Sequence, residues 1–145
     1  MYEAIDIDGG CIVWLFAGPT NTDDDFQRYC DSVRRLDAQA AGRTVAAVVI
    51  VDPENPPPSA AWRAEIGRVS KDLVSKPVFA LVSRRAIIRG VVTAVNWLTG
   101  SKSPFRATST FADAVVFAER ELGRDLPALT RLYEEVRARA SSGST

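Results

Sequence analysis

Apolar and polar positions change their period several times along this chain, and each change predicts an element. From Tyr2 to Asp8 they alternate, with Ala4, Asp6 and Asp8 on one side and Glu3, Ile5 and Ile7 on the other, as in a strand at a sheet edge. Gly9 and Gly10 favour a tight turn with positive φ, and the apolar run from Cys11 to Gly18 predicts a second strand, paired to the first as a hairpin. Gly18-Pro19 ends it. The period then lengthens to that of a helix at Phe26, Tyr29, Cys30, Val33, Leu36 and Ala40, behind the cap candidates Asn21, Thr22 and Asp23. From Thr44 to Asp52 the chain is apolar on both faces and rich in β-branched residues, which predicts a central strand covered by helices on each side.

Beyond it, Trp62, Ile66, Val69 and Leu73 mark one face of a second helix, and Val78 to Ser83 a further strand. Ser83 offers a cap for a third helix from Arg84 to Leu98, with Ile87, Ile88, Val91, Val95 and Leu98 on one side and Gly100 to close it. A polar loop containing Pro104 precedes a short strand around Arg106 to Ser109. Thr110 and Asp113 then resemble a capping box for a helix that turns Ala114, Val115, Ala118 and Leu122 inward. A last helix starts near Asp125 and Pro127, with Leu126, Leu129, Leu132, Tyr133 and Val136 needing a surface to cover them. This order predicts an α/β domain: a mixed, mainly parallel five-stranded sheet with an N-terminal hairpin, flanking helices and an extra C-terminal helix. Residues 1–122 form the domain, 123–140 the helical extension, and 141–145 a disordered tail.

Composition narrows the chemistry. The 145 residues are 46% apolar, enough for one continuous core, and 18 basic side chains cancel 18 acidic ones. No net field draws such a chain to nucleic acid or to an anionic membrane surface. The apolar runs fall well short of the roughly 20 residues that cross a bilayer, and the N-terminus lacks the basic and apolar regions of a signal peptide, so a cytoplasmic protein without membrane insertion is expected. Histidine is absent, which removes the commonest general base and metal ligand. Cys11 and Cys30 each sit inside an apolar pattern and read as buried small hydrophobes. Asp23, Asp24 and Asp25 read as the acidic first turn of a helix, in keeping with its dipole. No catalytic set, metal site or cofactor is expected.

The element order, an Asp closing the central strand (Asp52) and a Ser opening the next helix (Ser59) together resemble the anti-sigma-factor antagonist (STAS) superfamily, in particular its SpoIIAA-like group. The resemblance covers roughly Tyr2 to Leu122. It implies a regulatory or scaffold module that binds a partner protein, in some members switched by phosphorylation of a serine in the loop where Ser59 falls. The flanks depart from that pattern: Pro58 and Ala60 surround Ser59, and no glycine follows. On the residues alone, Ser59 is a good helix N-cap, and a phosphate there would also meet free backbone N–H groups. Arg84, Arg85 and Arg89 cluster at the start of the third helix, where the dipole disfavours them, and could hold a phosphate, a partner carboxylate or Glu65.

The expected partner surface is therefore the sheet end that carries Asp52, Ser59, Trp62, Arg84, Arg85 and Arg89. Trp14, Trp62 and Trp97 read as packing residues. The last helix packs on its own sheet or pairs with a second copy in a homodimer. Two functions compete with the partner-binding module: a small apolar ligand or lipid-binding domain, which calls for a pocket under the third helix, and an enzyme, for which the sequence offers no nucleophile paired with a base.

Overall fold

The computed structural model describes residues 1–99 and 103–143, without the side chains of 95–99. Its elements are β1 (Tyr2–Asp6), β2 (Cys11–Phe16), α1 (Asp23–Ala40), β3 (Ala46–Val51), α2 (Ala60–Lys71), β4 (Val78–Val82), α3 (Ala86–Thr99), β5 (Phe105–Thr108), α4 (Phe111–Leu122) and α5 (Pro127–Ser142). The strands form one sheet in the order β1-β2-β3-β4-β5. It is a mixed sheet: β1 runs antiparallel to β2, and β2 through β5 pair parallel. The hairpin turns at Gly10, whose φ of 69° suits glycine, and the Gly10 N–H donates to the Ile7 carbonyl at 3.1 Å.

Alternation along each strand divides the core in two. Cys11, Val13 and Leu15 of β2, Ala46, Val48 and Ile50 of β3, and Val78, Ala80 and Val82 of β4 face one side. There they meet Ala114, Phe117 and Ala118 of α4 and Leu129, Leu132 and Val136 of α5. Ile12, Trp14 and Phe16, with Ala47, face the other side, against Phe26, Tyr29, Cys30, Val33 and Leu36 of α1 and Val69 of α2. All six residues of β2 are buried, as a strand covered on both faces requires. Thr22 closes a full capping box on α1: its hydroxyl accepts from the Asp25 N–H at 3.1 Å, and the Asp25 carboxylate accepts from the Thr22 N–H at 2.8 Å.

Several expectations are corrected. Ile87 points outward and is 63% exposed, while Ile88 is buried, so the buried face of α3 includes Ile88 and leaves Ile87 on the solvent side. α3 begins at Ala86, after Ser83 and Arg84. The expectations for the side chains of Val95, Trp97 and Leu98, and for Gly100, Ser101 and Lys102, lie outside what the structure describes. At α4, the Thr110 hydroxyl caps the Asp113 N–H at 3.1 Å. Helix α5 continues to Ser142, into the segment expected to be a disordered tail, and Gly143 closes it by donating to the Arg139 carbonyl at 2.9 Å. Leu126, Leu129, Leu132 and Val136 are buried against β1, β2 and the shared core.

Candidate functional site

Because β2 to β5 run parallel, the loops that follow them emerge at one end of the sheet, the end where open α/β sheets build their sites. The loop after β3 is the longest part of this surface. Its Asp52 carbonyl accepts from the Asn55 N–H at 2.9 Å, a turn that Pro53 initiates. That turn buries Asn55 to 1% exposure, and its amide organises the neighbourhood. Asn55 Nδ2 donates to the Gly18 carbonyl at 3.0 Å and to Asn21 Oδ1 at 2.8 Å, and Asn55 Oδ1 accepts from Asn21 Nδ2 at 2.8 Å. Asn21 Nδ2 also reaches the Pro56 carbonyl at 3.3 Å. From the other side, Arg85 Nη1 donates to the carbonyls of Pro53 and Asn55 at 3.3 and 3.4 Å. The loops after β2, β3 and β4 are thus tied together through main-chain and amide groups, with four prolines (Pro53, Pro56, Pro57 and Pro58) stiffening the middle one.

Most of the sequence-predicted site residues have internal work here. Asp52 forms an ion pair with Arg137 of α5 at 2.8 Å, and Arg137 also lies over the Tyr133 ring. The pair joins the strand end to the helix on the opposite face. Ser59 is the N-cap of α2: its hydroxyl accepts from the Trp62 N–H at 3.3 Å, while the residue stays exposed. Trp62 stacks on Phe26 with ring centres 5.6 Å apart, and its indole N–H donates to Asp23 at 2.8 Å. It docks α2 on α1. Arg89 donates to the Ser83 carbonyl at 2.9 Å. Glu65 pairs with Arg34 at 3.0 Å and with Arg68, so none of Arg84, Arg85 and Arg89 is its partner. Of the three arginines only Arg84 is exposed and makes no hydrogen bond or ion pair among the described residues, and Ile87, three positions on, also faces outward.

Asp23, Asp24 and Asp25 are engaged by Trp62 and Arg28 and by local capping, and no cluster of His, Cys, Asp or Glu among the described residues is arranged for a metal. Cys11 and Cys30 are buried, unbridged and fully packed; burial pushes both thiols up to about 11, far from the reactive thiolate range. No helix among the described residues is long and apolar enough to cross a membrane.

A cleft lies behind this surface, between the sheet and the helix layer of α1, α2 and α3. It offers about 120 Å³ and is walled by Phe16, Phe26, Val49, Phe79, Ile88 and Phe105, with the prolines of the β3 loop at one side. Val51 of β3 and Ile66 of α2 also line it. Sites for drug-sized ligands typically span about 300 to 1,000 Å³, so this cleft is small, with room for roughly one ring.

Two residues that organise the region escape a sequence reading: Asn55 and Arg137. Asn55 carried a usable signal, an Asx residue directly before prolines that supply no N–H of their own. Arg137 lies 85 positions from Asp52, with no local pattern to link them. Comparison with protein-family models, with curated proteins and with solved structures returns no match.

Proposed function

We propose that this chain is a non-enzymatic STAS-like interaction module that binds a partner protein through the sheet end formed by the loops after β2, β3 and β4. The observation that carries the reading is the tying of these loops by Asn55 and Arg85 into one ordered surface, on which Arg84, Ile87 and Ser59 remain exposed. An ordered surface loses little conformational entropy on binding, and an exposed Ile beside an Arg combines an apolar anchor with a charge that steers encounter. The fold-level resemblance supports the same end, since the loop after the central strand is where such modules meet their partners. In this reading Asp52 positions the loop through Arg137, Trp62 fixes α2, and Ser59 caps it. Partner contact falls to Arg84, Ile87 and the outer loop.

Affinity capture from native lysate tests it with the wild type and with Arg84→Glu combined with Ile87→Asp. Both positions are exposed, so the variant folds normally. A protein retained by the wild type and lost by the variant is the expected result; identical captured sets from both would contradict the reading.

A further inference from the structure

The cleft between the sheet and α1 to α3 has one feature that packing does not explain. Among the described residues that line it, Asn21 and Asn55 satisfy each other and Ser70 donates to the Ile66 carbonyl at 2.9 Å. Tyr29 is different. It is only 8% exposed, its ring is held edge-on by Trp14 at 5.1 Å and by Phe16 at 5.7 Å, and its hydroxyl makes no hydrogen bond among the described residues. No buried side-chain oxygen in the described structure is both sealed from solvent and without a partner, so the Tyr29 oxygen keeps some accessible surface, and Tyr29 is among the residues that line the cleft. A buried tyrosine hydroxyl ordinarily finds a partner, because leaving it unpaired costs free energy.

We propose that the cleft is a binding site for a small neutral molecule, one ring or a short branched chain, carrying a single oxygen or nitrogen that pairs with the Tyr29 hydroxyl. Size sets the first limit: an apolar cavity of roughly 150 Å³ holds a benzene ring, and the space here is about 120 Å³. Charge sets the second. No Asp, Glu, Lys or Arg is among the described residues lining the cleft, so an ion would enter unpaired at a high desolvation cost. The aromatic and aliphatic walls supply affinity, and the phenol O–H supplies orientation. Burial raises the Tyr29 pKa above its ordinary value, which keeps the hydroxyl protonated and able to donate at neutral pH. The site stands independently of the partner surface.

Phenol and toluene, which differ by a hydroxyl in place of a methyl, serve as probes in an NMR titration of the full chain. Both are expected to shift the amides of Ile88, Val92 and Phe105. Phenol is expected to bind the wild type about three- to tenfold more tightly than toluene, one net hydrogen bond, and to lose that advantage in Tyr29→Phe. Val92→Trp, which fills the cleft from the half-buried face of α3, is expected to abolish binding of both. Failure of both probes to bind the wild type up to their solubility limits overturns the site itself. Equal binding of phenol and toluene to the wild type, or a phenol preference that survives in Tyr29→Phe, overturns the role of Tyr29 while leaving the partner-binding reading untouched.

Discussion

Ser59 shows how one residue type serves two readings until its geometry is known. The hydroxyl sits over the first turn of α2 and accepts from the Trp62 N–H, as an N-cap does, and the preceding prolines need no donors of their own. Ser59→Ala is expected to lower stability by about 1 kcal/mol in denaturant unfolding, whereas Ser59→Asp, which keeps a capping acceptor, is expected to leave stability within a few tenths of a kcal/mol. A loss in Ser59→Ala below the error of the fit would show that the cap contributes nothing. The neighbouring Asn55 is a different case, since its side-chain amide is buried and every hydrogen bond of that amide crosses to another loop. Its contribution is to the shape of the surface more than to any single element.

At the scale of elements, the acidic positions of α1 tie distant parts of the chain together. Asp37 accepts from the Val74 N–H, the Ser75 N–H and the Ser75 hydroxyl, and so fastens the loop between α2 and β4 to α1. Burial alone would raise its pKa, but the hydrogen bonds from Ser75 and Val74 favour the anion and hold the value below that of a free aspartate. A depressed folded-state pKa contributes stability that is fully present above the unfolded value near 3.8 and is lost as pH falls through the folded value. Asp37→Asn is therefore expected to lower stability at pH 7 by about 1 kcal/mol and to flatten the acid limb of the stability profile below about pH 4, as followed by thermal unfolding. An unchanged acid limb would show that the anion is not what these donors hold. Helix α5 is the other informative element. Leu132 is 1% exposed against β1 and β2, so Leu132→Ala is expected to cost about 2 to 5 kcal/mol, against less than 1 kcal/mol for a helix resting loosely on the domain.

Over the whole molecule, periodicity made the sheet and helices legible, because both core faces repeat at the spacing of their elements. Phe26, Tyr29, Cys30, Val33, Leu36 and Ala40 of α1 are all buried, and the alternation in β2 sorts its residues between two cores. What stayed hidden was whatever depends on partners far apart in the chain. The pairing of Asp52 with Arg137, the Asn21–Asn55 exchange and the unpaired hydroxyl of Tyr29 have no local signature, and which of two adjacent isoleucines on α3 is buried depends on how the helix packs on the sheet. For the same reason the division of labour at the sheet end has no local signature: Asp52, Trp62, Arg85 and Arg89 are engaged within the molecule, while Arg84 and Ile87 are exposed. The account rests on that end being the partner surface. Site-specific photo-cross-linking tests it most directly, with a photoreactive side chain placed at Arg84 or Ile87 and, as control, at exposed Lys76 before β4 at the opposite end of the sheet. The account predicts a discrete protein cross-linked from Arg84 and Ile87 and none from Lys76; cross-linking that is absent, or equal from both ends, would contradict it.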